Sequence, residues 1–110
     1  MRLARGRTKV ADPRNGTERE YAALFLARRP HGFEEITLVI GDGARYTPDY
    51  WTLGDDDVLE FHEVKGHWRE AAKVRIRAAA LKYPQFRFLA IRHEKGQWVR
   101  ESFGPGEVAA

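Results

Sequence analysis

The chain has 110 residues, of which 43% are apolar, and it carries a formal net charge of +3 at neutral pH. This length suits one domain with a single hydrophobic core and leaves no room for a second domain with its own site. Cysteine is absent, which excludes disulfides and thiolate metal sites and favours oxygen ligands for any metal. No apolar run is long enough for a membrane span, and we expect a cytoplasmic protein without a secretory signal.

Positive charge is concentrated in two stretches on either side of an acidic middle. Residues 1–16 hold five basic side chains against one acidic, and residues 65–82 hold six against one. A surface that tracks phosphates would show this pattern, but a flexible terminus and a solvent-facing helix would show it too. We predict a flexible basic N-terminal arm (1–16), a single domain (17–103) and a flexible tail (104–110).

The first predicted helix begins at Thr17 and runs to Arg29. Thr17 and Glu20 match the capping-box pattern, in which a hydroxyl is followed three residues later by a glutamate. Glu18 lies seven residues before Phe25 and shares its apolar face, so the Glu18 side chain is predicted to point inward. Favourable placement of a carboxylate near the positive end of a helix would also explain Glu18.

A predicted hairpin follows the helix, with strands at 36–40 and 45–53 joined by an Asp-Gly turn. Alternation along the second strand places Asp49 on one face and Tyr46 on the other. Pro48 lacks a backbone donor, which indicates a bulge or a sheet edge at this point.

The third predicted strand, residues 58–65, directs Glu63 and Lys65 to the same side as Phe61. A second helix is predicted over 69–83, and its stripe of small and apolar side chains favours close packing on a sheet. A buried strand over 85–92 and a short last strand around 98–100 complete the chain.

Asp49, Glu63 and Lys65 are ionisable residues inside otherwise apolar strand patterns. Burying such groups is costly unless they pair with each other or hold a cation. Two carboxylates on neighbouring strands suit Mg²⁺, which can neutralise a phosphodiester and activate water. A charge at a strand edge and a surface ion pair between Glu63 and Lys65 are the alternatives.

The segment His62–His67 is similar to the zinc-protease motif His-Glu-x-x-His. It has one residue too many and lies on a predicted strand, so its two histidines cannot share one face at the spacing of a helical turn. We therefore exclude a zinc site of that type.

Pro48-Asp49, thirteen intervening residues and then Glu63-Val64-Lys65 form a signature within the order helix, three strands, helix, strand. Both the signature and the order resemble the PD-(D/E)XK nuclease superfamily. Tyr46-Thr47-Pro48-Asp49 with a following Glu-Val-Lys-Gly is similar to small phage-encoded members, some of them junction-resolving endonucleases. The resemblance implies an α/β fold with a restriction-endonuclease-like αβββαβ core, in which helices flank a mixed sheet.

The resemblance also implies a Mg²⁺ site in which Mn²⁺ can substitute. Asp49 and Glu63 would be direct ligands, and the Val64 carbonyl would be a third. Lys65 would orient or deprotonate the attacking water, or stabilise the developing charge. Glu18 would hold a second ion or a metal-bound water. The products would carry 5′-phosphate and 3′-hydroxyl ends.

The function implied is that of a Mg²⁺-dependent endodeoxyribonuclease for branched or structured DNA, similar to Holliday-junction resolvases and acting in phage or bacterial recombination, repair or replication. A homodimer is expected, since cutting two strands commonly needs two sites. A catalytically inactive nucleic-acid-binding module and a restriction-type duplex nuclease are the alternatives. For His67, a solvated loop position is the alternative to DNA contact. The predicted DNA contacts are Arg5, Arg7, Lys9, His67, Trp68, Arg69 and Lys73.

Overall fold

The computed structural model describes residues 11–104, which form two α-helices, one π-helical turn and seven strands. In chain order the elements are α1 (Gly16–Tyr21), the π-helical turn (Ala22–Leu26), β1 (His31–Phe33), β2 (Leu38–Gly41), β3 (Ala44–Tyr46), β4 (Tyr50–Leu53), β5 (Leu59–Lys65), α2 (Glu70–Lys82), β6 (Arg87–Glu94) and β7 (Gln97–Phe103). No helix within this part of the chain has the length and apolar character needed to cross a membrane.

Five of the strands form one sheet in the order β1-β4-β5-β6-β7. β5 and β6 run parallel while the other neighbours run antiparallel, so the sheet is mixed. α2 provides the crossover that a parallel pair requires. β2 and β3 form a separate two-stranded sheet. The prediction of an α/β fold with a mixed sheet and two helices is confirmed.

Hydrophobic side chains pack on both faces of the large sheet. Phe61 of β5 contributes to the cluster that includes Ile76 and Ala79 of α2, whereas Val64 contributes to the cluster that includes Tyr21 of α1. Residues at odd and even positions of a strand face opposite sides. The predicted alternation along β5 and the predicted inward stripe of α2 are therefore confirmed, and Glu63 and Lys65 lie on the same side as Phe61.

α1 begins earlier than predicted, with Asn15 as its N-cap. The Asn15 side chain accepts a hydrogen bond from the Glu18 N–H at 2.8 Å, and the Glu18 side chain accepts one from the Asn15 N–H at 2.8 Å. Asn15 with Glu18 and Thr17 with Glu20 both match the capping-box spacing, and asparagine is a preferred N-cap. The assignment of the capping role to Glu20 was wrong, while the inward position of Glu18 is confirmed.

The helical segment also ends earlier than predicted, because α1 passes into the π-helical turn and stops at Leu26 instead of Arg29. A π-helical turn closes i→i+5 hydrogen bonds, so the buried position falls one residue later than in an α-helix. Phe25, predicted to share the buried face, is 46% exposed, and Leu26 is fully buried in its place.

The predicted strand 45–53 divides into β3 and β4 at Pro48. Proline has no N–H to donate, so the ladder is interrupted there, as the sequence indicated. β3 pairs only with β2, and β4 joins the large sheet. Three-residue β1, which pairs with β4, was missed because Pro30 and Gly32 are typical of a chain that is leaving a helix.

Candidate active site

Asp49 and Glu63 lie at the point where the ladder between β4 and β5 ends. The last paired residues are Tyr50 and His62. Beyond them the Glu63 side chain accepts a hydrogen bond from the Asp49 N–H at 3.1 Å, and the Asp49 side chain accepts one from the Val64 N–H at 2.8 Å. Each side chain thus replaces a missing backbone partner, and together the two bonds fix Asp49 and Glu63, hereafter the carboxylate pair, side by side.

The carboxylate pair is almost completely removed from solvent, with Asp49 5% and Glu63 9% exposed. Burial, followed by the negative charge of Glu63, raises the pKa of Asp49 to about 7. Burial also raises the pKa of Glu63. Within residues 11–104 no cationic side chain lies within 4 Å of the Asp49 carboxylate. Two buried like charges favour the uptake of a proton or of a cation.

Two side chains hold the Glu63 carboxylate. Lys65 Nζ lies 3.4 Å from Glu63 Oε2, as the alternation predicted, and the Tyr46 hydroxyl donates a hydrogen bond to Glu63 Oε1 at 2.9 Å. Burial and the charge of Glu63 raise the pKa of Tyr46, which keeps the phenol protonated as a donor. Tyr46 was missed as a site residue because unbroken alternation placed it on the face opposite to Asp49.

A cavity of about 100 Å³ opens beside Glu63, between β5 and α2. The Arg75 guanidinium lies near enough to the Tyr46 hydroxyl to lower the pKa of that phenol, against the larger effect of burial. Arg75 was also missed, since a basic residue on a helix has no sequence signal that separates a site residue from a solvated one. The cavity is lined by Tyr46, Glu63, Lys65, Trp68, Ala72, Arg75 and Ile76.

The donors around the carboxylate pair fit a hard divalent cation. Asp49 and Glu63 supply carboxylate oxygens, which are the type of donor that Mg²⁺ prefers, and the predicted Val64 carbonyl would be a third ligand. The negative charge of Glu63, which adds to the effect of burial in raising the pKa of Asp49, also attracts a cation to this site. The residues present therefore fit Mg²⁺.

Glu18 is not brought into a three-carboxylate group with this pair. One of its oxygens is held by the Asn15 N–H in the capping box, although its charge lies near enough to contribute to the raised pKa of Asp49. Among the residues that the structure describes, no three His, Cys, Asp or Glu side chains form a group that could hold one metal ion. The candidate metal site is therefore built on two carboxylates.

Two of the predicted DNA contacts are engaged elsewhere. The Trp68 side chain is only 9% exposed, and its indole N–H donates to the Ile91 carbonyl at 3.2 Å, so Trp68 is a core residue instead of a surface contact. Lys73 Nζ lies 3.3 Å from a carboxylate oxygen of Glu101. His67 and Arg69 are exposed. Outside the described residues lie Arg5, Arg7 and Lys9.

His62 faces away from the carboxylate pair and belongs to a buried polar network. Tyr21 Oη lies 2.7 Å from His62 Nδ1, and Glu60 Oε1 lies 2.9 Å from His62 Nε2. Arg29 and Arg87 donate to the Glu60 carboxylate at 3.2 and 2.9 Å. The network ties α1 to β5 and engages both ring nitrogens of His62.

The site thus combines two adjacent buried carboxylates, a lysine ammonium on one of them, and a cavity with a further cation. Such an arrangement can hold a divalent cation and meet an anionic substrate from the α2 side. Comparisons of the chain with protein-family models, with curated proteins and with solved structures find no match.

Proposed function

We propose that this protein is a Mg²⁺-dependent endodeoxyribonuclease. The observation that carries the proposal is the carboxylate pair, clamped by reciprocal hydrogen bonds, with Lys65 Nζ 3.4 Å from Glu63 Oε2. Phosphodiester hydrolysis needs charge neutralisation, a positioned water and a group that assists proton transfer. An ion held by the carboxylate pair would neutralise charge and position the water, and Lys65 would be the group that assists.

Asp49, Glu63 and the Val64 carbonyl would hold the ion, and Mn²⁺ would serve as a substitute. When bound, Mg²⁺ neutralises phosphate charge and makes a water molecule more acidic. The reciprocal hydrogen bonds keep the two carboxylates from separating before the ion arrives. Preorganisation of this kind lowers the cost of assembling the site during the reaction.

Lys65 and Tyr46 would have distinct roles. The Lys65 side chain is 42% exposed, so its ammonium can reach a phosphate or the attacking water while it stays beside Glu63. Lys65 would orient that water and stabilise charge that develops on the phosphate. Tyr46 would act as a positioning residue, because its hydroxyl fixes the orientation of the Glu63 carboxylate.

The finer fold assignment, a restriction-endonuclease-like core, is part of this proposal. It is supported by the packing of α1 and α2 against opposite faces of a mixed sheet and by the α2 crossover between parallel β5 and β6. The resemblance of Pro48-Asp49 and Glu63-Val64-Lys65 to the PD-(D/E)XK signature supports it independently. The same resemblance favours branched or structured DNA as the substrate. It also favours a cytoplasmic location.

A homodimer is the proposed assembly. Leu24 is 58% and Phe25 46% exposed, and the Phe25 ring lies 5.8 Å from the ring of Trp98. Contiguous exposed apolar side chains often mark interaction surfaces, and a second copy would supply the second active site for a second strand. Light scattering after size exclusion tests this point, and a monomer at micromolar concentration would contradict it.

A catalytically inactive nucleic-acid-binding module on the same fold is the second candidate. The ion pair between Lys65 Nζ and Glu63 Oε2, at 3.4 Å, offsets part of the buried negative charge without a metal ion and favours this candidate. The two candidates differ in one respect that can be measured directly, because only the enzyme cleaves DNA in a metal-dependent way.

The deciding experiment incubates the protein with a four-way junction, a flap, a plain duplex and a single strand, each with Mg²⁺ or with a chelator. We expect Mg²⁺-dependent cleavage, with a loss of about 100-fold or more for Glu63→Gln and for Lys65→Ala. Glu94→Gln on β6 is the matched control and should cleave normally. If the protein binds DNA but cleaves none of the four substrates, the nuclease proposal is wrong and the binding module is the remaining candidate.

A further inference from the structure

A second cavity, of about 350 Å³, adjoins the first one at the start of α2. Its volume falls within the range of small-ligand pockets. The two cavities share Lys65, Ala72 and Arg75 as a common wall. We name the second one the cationic cavity, and its lining consists of Lys65, His67, Arg69, Ala71, Ala72 and Arg75.

The lining of the cationic cavity includes three basic side chains, Lys65, Arg69 and Arg75, and no carboxylate. Glu70, the first residue of α2, directs its carboxylate to Arg77 at 2.8 Å instead of into the cavity. Among residues 11–104, Arg69 and Arg75 have no carboxylate within 4 Å. Like charges gathered around a concave surface repel one another and attract an anion.

We infer that the cationic cavity is a phosphate-binding subsite. This inference rests on the proposed function: the cavity holds the phosphate group that neighbours the phosphodiester to be cleaved. Along the axis of a duplex each strand carries one phosphate per about 3.4 Å, so a strand bound at the carboxylate pair would carry its next phosphate toward the adjoining cavity. Guanidinium groups match phosphate geometry with two parallel hydrogen bonds.

Arg75 is the main determinant of this subsite, because it lines both cavities and has no carboxylate partner among the described residues. Arg69 lines only the cationic cavity, and the Lys65 ammonium already forms an ion pair with Glu63. Arg77 offers a matched control on the same helix: it carries the same charge but pairs with Glu70 and lies outside the cationic cavity.

The test measures DNA binding in a chelator, where metal-dependent cleavage cannot occur. Fluorescence anisotropy with a labelled duplex gives the affinity of the parent protein, Arg75→Ala and Arg77→Ala across a series of salt concentrations. We expect Arg75→Ala to lose roughly tenfold in affinity. The plot of log K against log salt should become less steep, by the amount expected for the loss of about one phosphate contact. Arg77→Ala should change neither quantity by more than about twofold.

Two further substrates identify the source of the phosphate. A duplex with one neutral methylphosphonate linkage tests an internal phosphate, and a short strand with or without a terminal phosphate tests a strand end. We expect the methylphosphonate to weaken binding by the parent protein and to leave Arg75→Ala unaffected, and we expect removal of the terminal phosphate to change neither. The reverse result would assign the cavity to a strand end and overturn the inference of an internal phosphate. Equal losses for Arg75→Ala and Arg77→Ala, or no loss for both, would overturn the subsite. Because binding is measured without cleavage, failure of the nuclease proposal and failure of the subsite give different results.

Discussion

Replacing Asp49 with asparagine removes one negative charge from the carboxylate pair and keeps a side-chain oxygen that can accept the Val64 N–H. The raised pKa of Asp49 means that the folded, metal-free protein holds the ionised carboxylate at a cost. A neutral amide has no such cost, so the Asp49→Asn protein should be the more stable one wherever Asp49 is ionised.

The size of this effect follows from the change in pKa. The pKa of Asp49 rises from 3.8 to about 7 on folding, and each pKa unit corresponds to about 1.4 kcal/mol. Between these two values the folded state binds more protons than the unfolded state, so stability falls as pH rises from about 4 and reaches its low plateau above about 7. At pH 8 the full cost is on the order of 4 kcal/mol, and burial of the new amide would reduce the gain to about 2–4 kcal/mol.

Urea denaturation in a chelator, followed by circular dichroism, measures the effect at pH 4 and at pH 8. We expect a gain of about 1–2 M in the midpoint for Asp49→Asn at pH 8 and little difference at pH 4. Adding Mg²⁺ at pH 8 should stabilise the parent and leave the variant nearly unchanged. Equal destabilisation of Asp49→Asn at both pH values would refute the assignment of a charge penalty to this carboxylate.

Three other predictions concern the same region and its neighbours. Tyr46→Phe removes a hydrogen bond from Glu63, so the Mg²⁺ concentration for half-maximal cleavage should rise roughly tenfold; an unchanged Mg²⁺ dependence would remove the positioning role. Mg²⁺ binding at pH 6.5 should release close to one proton, seen by calorimetry in two buffers of different ionisation enthalpy, and Asp49→Asn should release fewer. Glu60 is buried, which alone would raise its pKa, but hydrogen bonds from its histidine and arginine neighbours lower the pKa to about 2 from 4.5. Its stabilising effect is present above about pH 4.5 and is lost toward pH 2, so Glu60→Gln should cost about 3 kcal/mol at pH 7 and little at pH 2, as measured by urea denaturation.

Regular elements were predictable where one periodicity governs a whole segment. β5 and α2 match their sequence patterns closely, because each presents one apolar face to a core. The start and end of α1 were not predictable from pattern alone. Two overlapping capping boxes compete at the start, and the π-helical turn shifts the buried position by one residue at the end.

The acidic residues and the lysine of the candidate site were predictable from the sequence, but the neighbouring Tyr46 and Arg75 were not. Asp49, Glu63 and Lys65 stand out because charged residues in apolar strands are rare. Tyr46 joins them only because the chain breaks at Pro48, which releases Tyr46 from the alternation of a continuous strand. Arg75 reaches the site through the packing of α2 on the sheet, which no local pattern encodes.

The reciprocal hydrogen bonds between Asp49 and the Glu63–Val64 segment have a consequence for folding. They can form only when β4 and β5 pair in the native register, with Tyr50 opposite His62. A slip of one residue would turn Glu63 to the α1 side and bring His62 toward Asp49, because alternate residues of a strand face opposite ways. Any ion that bridges Asp49 and Glu63 would therefore bind the native alignment selectively. If Mg²⁺ binds there as proposed, it would also stabilise the native strand register during folding.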